Sequence, residues 1–196
     1  MIGKSERLSR DPQSRPQSHP PTGPQPRPRA ALLDRDGVIN VDIGYAHKPE
    51  DLVFVPGAPE ALRRLKDAGW LVIVVTNQAG VARGYYDEAA VDLFHAAMNQ
   101  QLSAHGARID AFYYSPYHED ATLEAYRHAD HPDRKPNPGM LLRGLADYGV
   151  AAEDAFMIGD RDSDMQAAAR AGVAGYLFQG GDLDALVQRV LAERGG

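Results

Sequence analysis

Six consecutive apolar residues, Trp70-Leu71-Val72-Ile73-Val74-Val75, constrain the fold of this chain more than any other feature. A strand with one wet face alternates apolar and polar side chains. An unbroken run instead needs cover on both faces, which a parallel sheet between two layers of helices supplies. A helical pattern precedes the run, with Pro59 suited to its first turn and Gly69 as its stop. The same alternation recurs along the chain. Strands are predicted over 30–33, 109–114, 155–158 and 173–178. Further helices are predicted from Asp87 to before Gly106 (apolar stripe Val91, Phe94, Met98, Leu102), from Asn137-Pro138 to Gly149, over 165–171, and after Asp182. There is no internal repeat. The pattern predicts an α/β fold, a Rossmann-like parallel sheet with helices on both faces. Segment 41–56 reads as an irregular excursion, 76–86 as a loop, and 115–135 as a long polar loop insert. Neither 41–56 nor the insert is suited to a folded cap, so no large cap domain is expected.

Composition narrows the setting. No apolar run approaches the roughly 18 residues that span a bilayer, and the start of the chain has no apolar signal core. A cytosolic location with no membrane partner is the expectation. There are no cysteines, hence no disulfide, thiolate ligand or cysteine nucleophile. Residues 1–30 carry six Lys/Arg against two acids, so the net charge of −6 is +4 there and −10 beyond. That acidity argues against nucleic acid as the main partner. Residues 1–29 hold seven of the fourteen prolines and almost no large apolar side chain. They read as a disordered tail ahead of a domain over 30–196. The spacing of Pro24, Pro26 and Pro28 would suit a polyproline-reading partner, though a solvated extension is the simpler reading.

Four polar clusters stand behind predicted strands: Asp34 and Asp36, Thr76-Asn77-Gln78, Arg134-Lys135, and Asp160 with Asp164. In a doubly wound sheet the loops at the carboxyl ends of the strands converge, so distant residues build one site. A strand continued through Asp36 would turn both carboxylates to one face, while Gly37 supplies a break. Each cluster has a plain structural reading: an Asp-Gly turn, a strand-end hydroxyl, a surface lysine, a helix cap with its first turn. Together, three acids, a hydroxyl and a lysine suit Mg²⁺-assisted phosphoryl transfer. A hard cation takes oxygen ligands and offsets the repulsion between a carboxylate nucleophile and a phosphate.

Asp34-Arg35-Asp36-Gly37, Thr76-Asn77-Gln78, Lys135 and Gly159-Asp160-Arg161-x-x-Asp164 resemble the four ordered motifs of the haloacid dehalogenase superfamily. Asn40-Val41-Asp42-x-Gly44-Tyr45-x-His47, Gly80-Val81-Ala82-Arg83-Gly84 and Arg134-Lys135-Pro136-x-Pro138-Gly139-Met140 resemble its D,D-heptose 1,7-bisphosphate 7-phosphatases. The resemblance implies Asp34 as nucleophile and Asp36 as general acid and then base. It implies Mg²⁺ on the Asp34 side chain, the Asp36 carbonyl and Asp160, with Asp164 orienting Lys135 or a water on the metal. Thr76 and Lys135 would hold the phosphoryl group, with Asn77 close to substrate. Arg134 and the stretch from Asn40 to Tyr45 would face the rest of a sugar phosphate, and Arg83 would either join them or shape its loop. The partner implied is a small-molecule sugar phosphate, acted on by a monomer. The rivals are a histidinol-phosphate or general sugar-phosphate phosphatase, a phosphate-binding regulator without catalysis, and a scaffold working through its Pro-rich tail.

One departure bears on cofactors. Heptose phosphatases usually carry a structural zinc in this insert, on a Cys-x-His…Cys-x-Cys pattern. Here Ser115, Tyr117, His131 and Asp133 stand at the corresponding positions. Serine and tyrosine are poor zinc ligands, and a shifted set of His118, His128, His131 and Asp133 has no matching spacing. Zinc is not expected. The loop would be held by packing and hydrogen bonds, with Tyr113, Tyr114, Tyr117 and Tyr126 as apolar contacts.

Overall fold

The computed structural model describes residues 27–195, and the first 26 residues of the Pro-rich segment lie outside the described residues. Five parallel strands form one sheet in the order β3-β2-β1-β4-β5. They are β1 (Arg29–Leu33), β2 (Trp70–Asn77), β3 (Ala111–Ser115), β4 (Ala155–Gly159) and β5 (Ala174–Leu177). The helices are α1 (Ala58–Asp67), α2 (Ala79–Ala82), α3 (Glu88–Ser103), α4 (Gly139–Asp147), α5 (Asp162–Ala171) and α6 (Leu183–Glu193). The predicted α/β fold, strand alternating with helix, is the observed one. No described helix is long and apolar enough to cross a membrane.

Period-two alternation explains the unbroken apolar run. Val72 and Val74 turn to one face with Ala31, Leu33, Phe156 and Ile158, under α1, α3 and α6. Ile73 and Val75 turn to the other with Ala30, Leu32 and Met157, under α4 and α5. Fully buried side chains such as Leu32, Leu62 and Ile73 contribute about 1.5–3 kcal/mol each by leaving water. Two predicted caps form as expected. Asp87 accepts from Ala90 N at 2.9 Å, and Asp182 accepts from Ala185 N at 3.0 Å.

Four boundaries need correction. α5 begins at Asp162, three residues before 165, so the fourth polar cluster includes its first turn. β2 does not stop at Val75: Thr76 and Asn77 pair with Tyr114 and Ser115 of β3, so the sheet itself carries the second polar cluster. Segment 76–86 is not all loop, because α2 follows at once. One turn of helix is too short to show periodicity, and its buried Gly80 lies under the ring of Tyr86, leaving no room for a Cβ. β3 begins two residues later than 109, because both backbone groups of Ile109 are taken by the Asn99 side chain, at 2.8 and 3.1 Å. Segments 41–56 and 115–135 hold only single 3₁₀ turns, Pro49–Asp51 and Glu124–Tyr126.

Helix α3 also brings a histidine beneath the end of β1. His95 is buried, stacked on Phe112 with ring centroids 4.2 Å apart, and its Nε2 lies 3.4 Å from Arg35 NH1. Arginine only donates, so Nε2 accepts and the ring is neutral with its proton on Nδ1. Burial, reinforced by Arg35, lowers its pKa from 6.5 to about 3. The unfolded chain therefore binds this proton where the native state does not, and stability falls as pH drops from 6.5 towards 3. At pH 5 the cost is about 2 kcal/mol. His95→Gln keeps an acceptor for Arg35 without titrating. Denaturant melts at pH 7 and pH 5 should show the wild type losing more stability than this variant, and equal losses would contradict the assignment.

Candidate active site

Strand β1 ends at the centre of the sheet, and its ladder gives one last bond, Asp34 N to Ile158 O at 2.9 Å. The chain then leaves the sheet instead of running flat through Asp36. The Arg35 carbonyl accepts from the Ile39 and Asn40 amides at 2.9 and 3.1 Å, and Gly37 takes a φ of 86°. A side chain at Gly37 would be strained there and would fall on the Asp160 carboxylate. This bend brings the first and fourth polar clusters together.

Asp34 is buried, and its Oδ1 accepts from Arg35 N at 2.8 Å and pairs with Lys135 Nζ at 2.9 Å. Among the described residues no donor reaches Oδ2. The Lys135 ammonium also forms an ion pair with Asp164 Oδ1 at 2.6 Å and donates to the Val75 carbonyl at 2.8 Å. Burial is the largest influence on Asp34 and pushes its carboxyl up to about 6, opposed by Lys135 and helped by Asp164. Burial would lower Lys135, but Asp34 and Asp164 outweigh it and hold the ammonium above its ordinary value. Asn77 fixes this lysine by a reciprocal pair: its Oδ1 accepts from Lys135 N and its Nδ2 donates to Lys135 O, both at 3.0 Å. Asn77 lines the cleft as expected, and it also clamps the backbone of Lys135.

Asp36 sits in a separate web of donors. Arg35 meets both carboxylate oxygens at 3.0–3.3 Å, Asn40 Nδ2 reaches Oδ1 at 2.9 Å, and Gln78 Nε2 reaches Oδ2 at 3.0 Å. Arg35 is only 1 % exposed, with its guanidinium 4.5 Å over the Phe94 ring and a further bond to the Ala46 carbonyl at 2.7 Å. Sequence reasoning left Arg35, Gln78 and Tyr86 outside the site residues. The one signal for Arg35 was a cation placed between two acids at a strand end.

A cleft of about 360 Å³ opens over these groups. Asp34, Asp36, Tyr45, Thr76, Asn77, Arg83, Arg134, Lys135 and Asp164 all line it. Asn40 does not, since it lies behind Asp36, fully buried. Arg83 and Arg134 share one flank with His118. Burial, and then Arg83, lowers the Arg134 pKa, and burial followed by these two arginines lowers that of His118. The two guanidinium groups thus put positive charge on this flank, and among the described residues neither has a carboxylate at ion-pair distance, although Glu119 acts on Arg134 from farther away.

The carboxylates of Asp34, Asp160 and Asp164 gather within 4.8 Å of one another. Burial raises the Asp160 pKa, and its Oδ1 is buried with no hydrogen-bond partner. Hard oxygen donors with an orphaned buried oxygen fit a Mg²⁺-sized dication. This is the one such gathering among the described residues. The insert differs. The Nδ1 atoms of His118, His128 and His131 accept from the amides of Asp120, Asp130 and Asp133 at 3.0, 3.2 and 3.1 Å. Tyr117 stacks on His131 with centroids 3.6 Å apart, and Arg134 NH1 donates to the Tyr117 carbonyl at 2.9 Å. Ser115 and Asp133 do not join these rings in a ligand set. The donor set does not fit zinc. Of the expected tyrosine contacts, Tyr117 and Tyr126 lie 6.1 Å apart, while Tyr114 and Tyr126 both donate to Glu88, each at 2.7 Å.

Comparison with known proteins agrees with this geometry. A HAD-hydrolase-like family model matches residues 133–190. The D-glycero-beta-D-manno-heptose-1,7-bisphosphate 7-phosphatase of Rhodopseudomonas palustris is 45% identical over 173 residues, 88% of this chain and 95% of that protein. The D-glycero-D-manno-heptose-1,7-bisphosphate 7-phosphatase of Thermosynechococcus vestitus is 40% identical, over 83% and 84%. The crystal structure of D,D-heptose 1.7-bisphosphate phosphatase from B. bronchiseptica, complexed with magnesium and phosphate, superposes with a TM-score of 0.74 at 32% identity. That match covers 84% of this chain and 99% of that one. The chain therefore belongs to the heptose-1,7-bisphosphate 7-phosphatase family of HAD-like phosphatases.

Proposed function

We propose that the protein is a Mg²⁺-dependent phosphatase that removes the 7-phosphate of D-glycero-D-manno-heptose 1,7-bisphosphate. The observation that carries this reading is a buried Asp34 with a free Oδ2, in a cleft with two separate cationic groups, Lys135 on one side and Arg83 with Arg134 on the other. A bisphosphate presents one anion to each. The identities with the named heptose phosphatases support the substrate.

In the first step Asp34 Oδ2 attacks phosphorus, the bond from phosphorus to the sugar oxygen breaks, and Asp36 delivers a proton to that oxygen. In the second, Asp36 takes a proton from water as its oxygen attacks phosphorus, and the bond to Asp34 breaks. Inorganic phosphate and the heptose 1-phosphate leave. Proton transfer of this kind contributes about 10² to 10⁴ in rate. Lys135 offsets charge on the phosphoryl oxygens, and Thr76 donates a hydroxyl hydrogen bond to them. The Asp34 carboxylate and Asp160, with the Asp36 carbonyl, would hold Mg²⁺, which when bound would supply further charge neutralisation. Asp164 holds Lys135 in place, while Asn40 restrains Asp36. Arg134, Arg83 and Tyr45 take the sugar and its second phosphate. We read the enzyme as a cytoplasmic monomer of one phosphatase domain, residues 30–196 with the insert at 115–135. Its first strand takes in Arg29, one residue ahead of that boundary, where Arg29 pairs with Trp70 of β2.

Asp34→Asn should fold normally and lose about 10³-fold or more in turnover, since the amide is a poor nucleophile. Mg²⁺-dependent phosphate release close to wild type would rule out the mechanism. Arg134→Met should raise KM for the bisphosphate by about tenfold or more with little change in kcat, and leave a monophosphate substrate nearly unaffected. Equal effects on both substrates would remove Arg134 from the second anion site. Elemental analysis of the purified protein should find zinc far below one per chain, and one zinc per chain would reverse that assignment.

A further inference from the structure

Gln78 is buried, 2 % exposed, and every hydrogen-bonding position of its amide is filled. Its Nε2 donates to Asp36 Oδ2 at 3.0 Å and to Thr76 Oγ1 at 2.9 Å. Its Oε1 accepts from Arg35 NH2 at 3.1 Å and from Tyr86 OH at 2.8 Å. The orientation of the amide is forced. Arg35 can only donate, so the group facing it must be the oxygen, and the nitrogen must then face Asp36 and Thr76. Tyr86 is a donor too: burial pushes its pKa up to about 12, so it keeps its proton. The backbone is equally fixed, with Gln78 N on the Ser115 carbonyl at 2.8 Å.

The consequence falls on Thr76. Its oxygen already accepts from Gln78, and among the described residues nothing accepts from its O–H. Thr76 lines the cleft, so the one direction left for that proton is into the phosphoryl site. A hydroxyl free to turn would spend part of its time as an acceptor, which an anionic phosphoryl group does not reward. Through its other N–H, the same amide restrains the carboxylate that moves the proton.

We infer that Gln78 is a positioning residue that sets the Thr76 hydroxyl as a donor to the phosphoryl group and holds Asp36 in register with it. The inference rests on the phosphatase reading above, in which Thr76 and Asp36 have those roles. Arg35 and Tyr86 anchor the amide oxygen, Tyr86 from the cleft wall and the buried Arg35, which does not line the cleft, from beneath it.

The test uses two substrates that differ in their need for a proton. p-Nitrophenyl phosphate has a stable leaving group and depends little on Asp36, whereas heptose 1,7-bisphosphate requires it. Gln78→Met removes both donors at similar volume. It should cost about tenfold in kcat/KM on the aryl phosphate, through Thr76 alone, and about 10²-fold on the bisphosphate, through both. Gln78→Glu keeps acceptors for Arg35 and Tyr86 but turns an oxygen towards Thr76 and Asp36. It should lose at least as much as Gln78→Met. In a Thr76→Val background, the aryl-phosphate loss from Gln78→Met should vanish, because the group it acts through is gone. Thermal melts report folding, and Tyr86→Phe, which removes one anchor only, should show a smaller loss with the same substrate split. It carries the test if either Gln78 variant fails to fold. Losses equal on both substrates and additive with Thr76→Val would reduce Gln78 to a structural residue and overturn the inference. Asp34→Asn is measured in parallel. If it stays active, the phosphatase reading fails. If it is dead and the Gln78 variants match wild type, only the role of Gln78 fails.

Discussion

The Lys135 ammonium is the contact on which the rest of the site depends. Taking one cation and two carboxylates out of water costs several kcal/mol per ion, so such a group persists only where close charge pairing offsets that cost. Lys135 is paired with Asp34 at 2.9 Å and Asp164 at 2.6 Å, and it donates to the Val75 carbonyl. These three partners come from the end of β1, the first turn of α5 and the interior of β2. One buried charge thus ties three elements of the sheet edge together, and Asn77 fixes its backbone in turn. The arrangement leaves one oxygen of Asp34 free and the other held, which is the asymmetry a nucleophilic carboxylate needs.

Much of this was legible in the residues. Continuous apolar runs give buried parallel strands because both faces must be covered, and polar clusters behind such runs must meet at one edge. Asp34 and Asp164 could be read this way, one following a strand and one opening a helix, and Lys135 could be read from its place between the long insert and the next helix. Arg35 and Gln78 could not. Each has four or more hydrogen-bonding positions, some of them filled from distant segments, and nothing in local sequence shows that all are satisfied. Their burial is a product of tertiary packing alone. The short helix α2 and the late start of β3 escaped for related reasons. One turn has no period, and the strand boundary is set by the side chain of Asn99 on another element.

The insert answers a different problem, how to hold a long loop in a chain without cysteine. A metal would fix four points at once. Here the work is divided among a Tyr117–His131 stack, three histidine rings each capping a nearby amide, and paired backbone bonds between His118 and the 126–128 segment. Arg134 is fastened to this loop through the Tyr117 carbonyl. The position of this cleft-lining guanidinium therefore depends on aromatic stacking, so the shape of the cleft wall is coupled to the internal order of the loop.

The glycine beneath Tyr86 extends that dependence to a residue that touches no reacting atom. Gly80 has no space for even a methyl group, because the phenol ring occupies it. That ring in turn supplies one of the two donors that fix Gln78. A branch added to the backbone at 80 would be transmitted as a rotation of the phenol and then as a lost amide anchor. In a map of tolerated substitutions this glycine would stand out as strongly as a catalytic residue. It would do so because the volume above its α-carbon is already allotted to the ring that anchors Gln78 beneath the cleft.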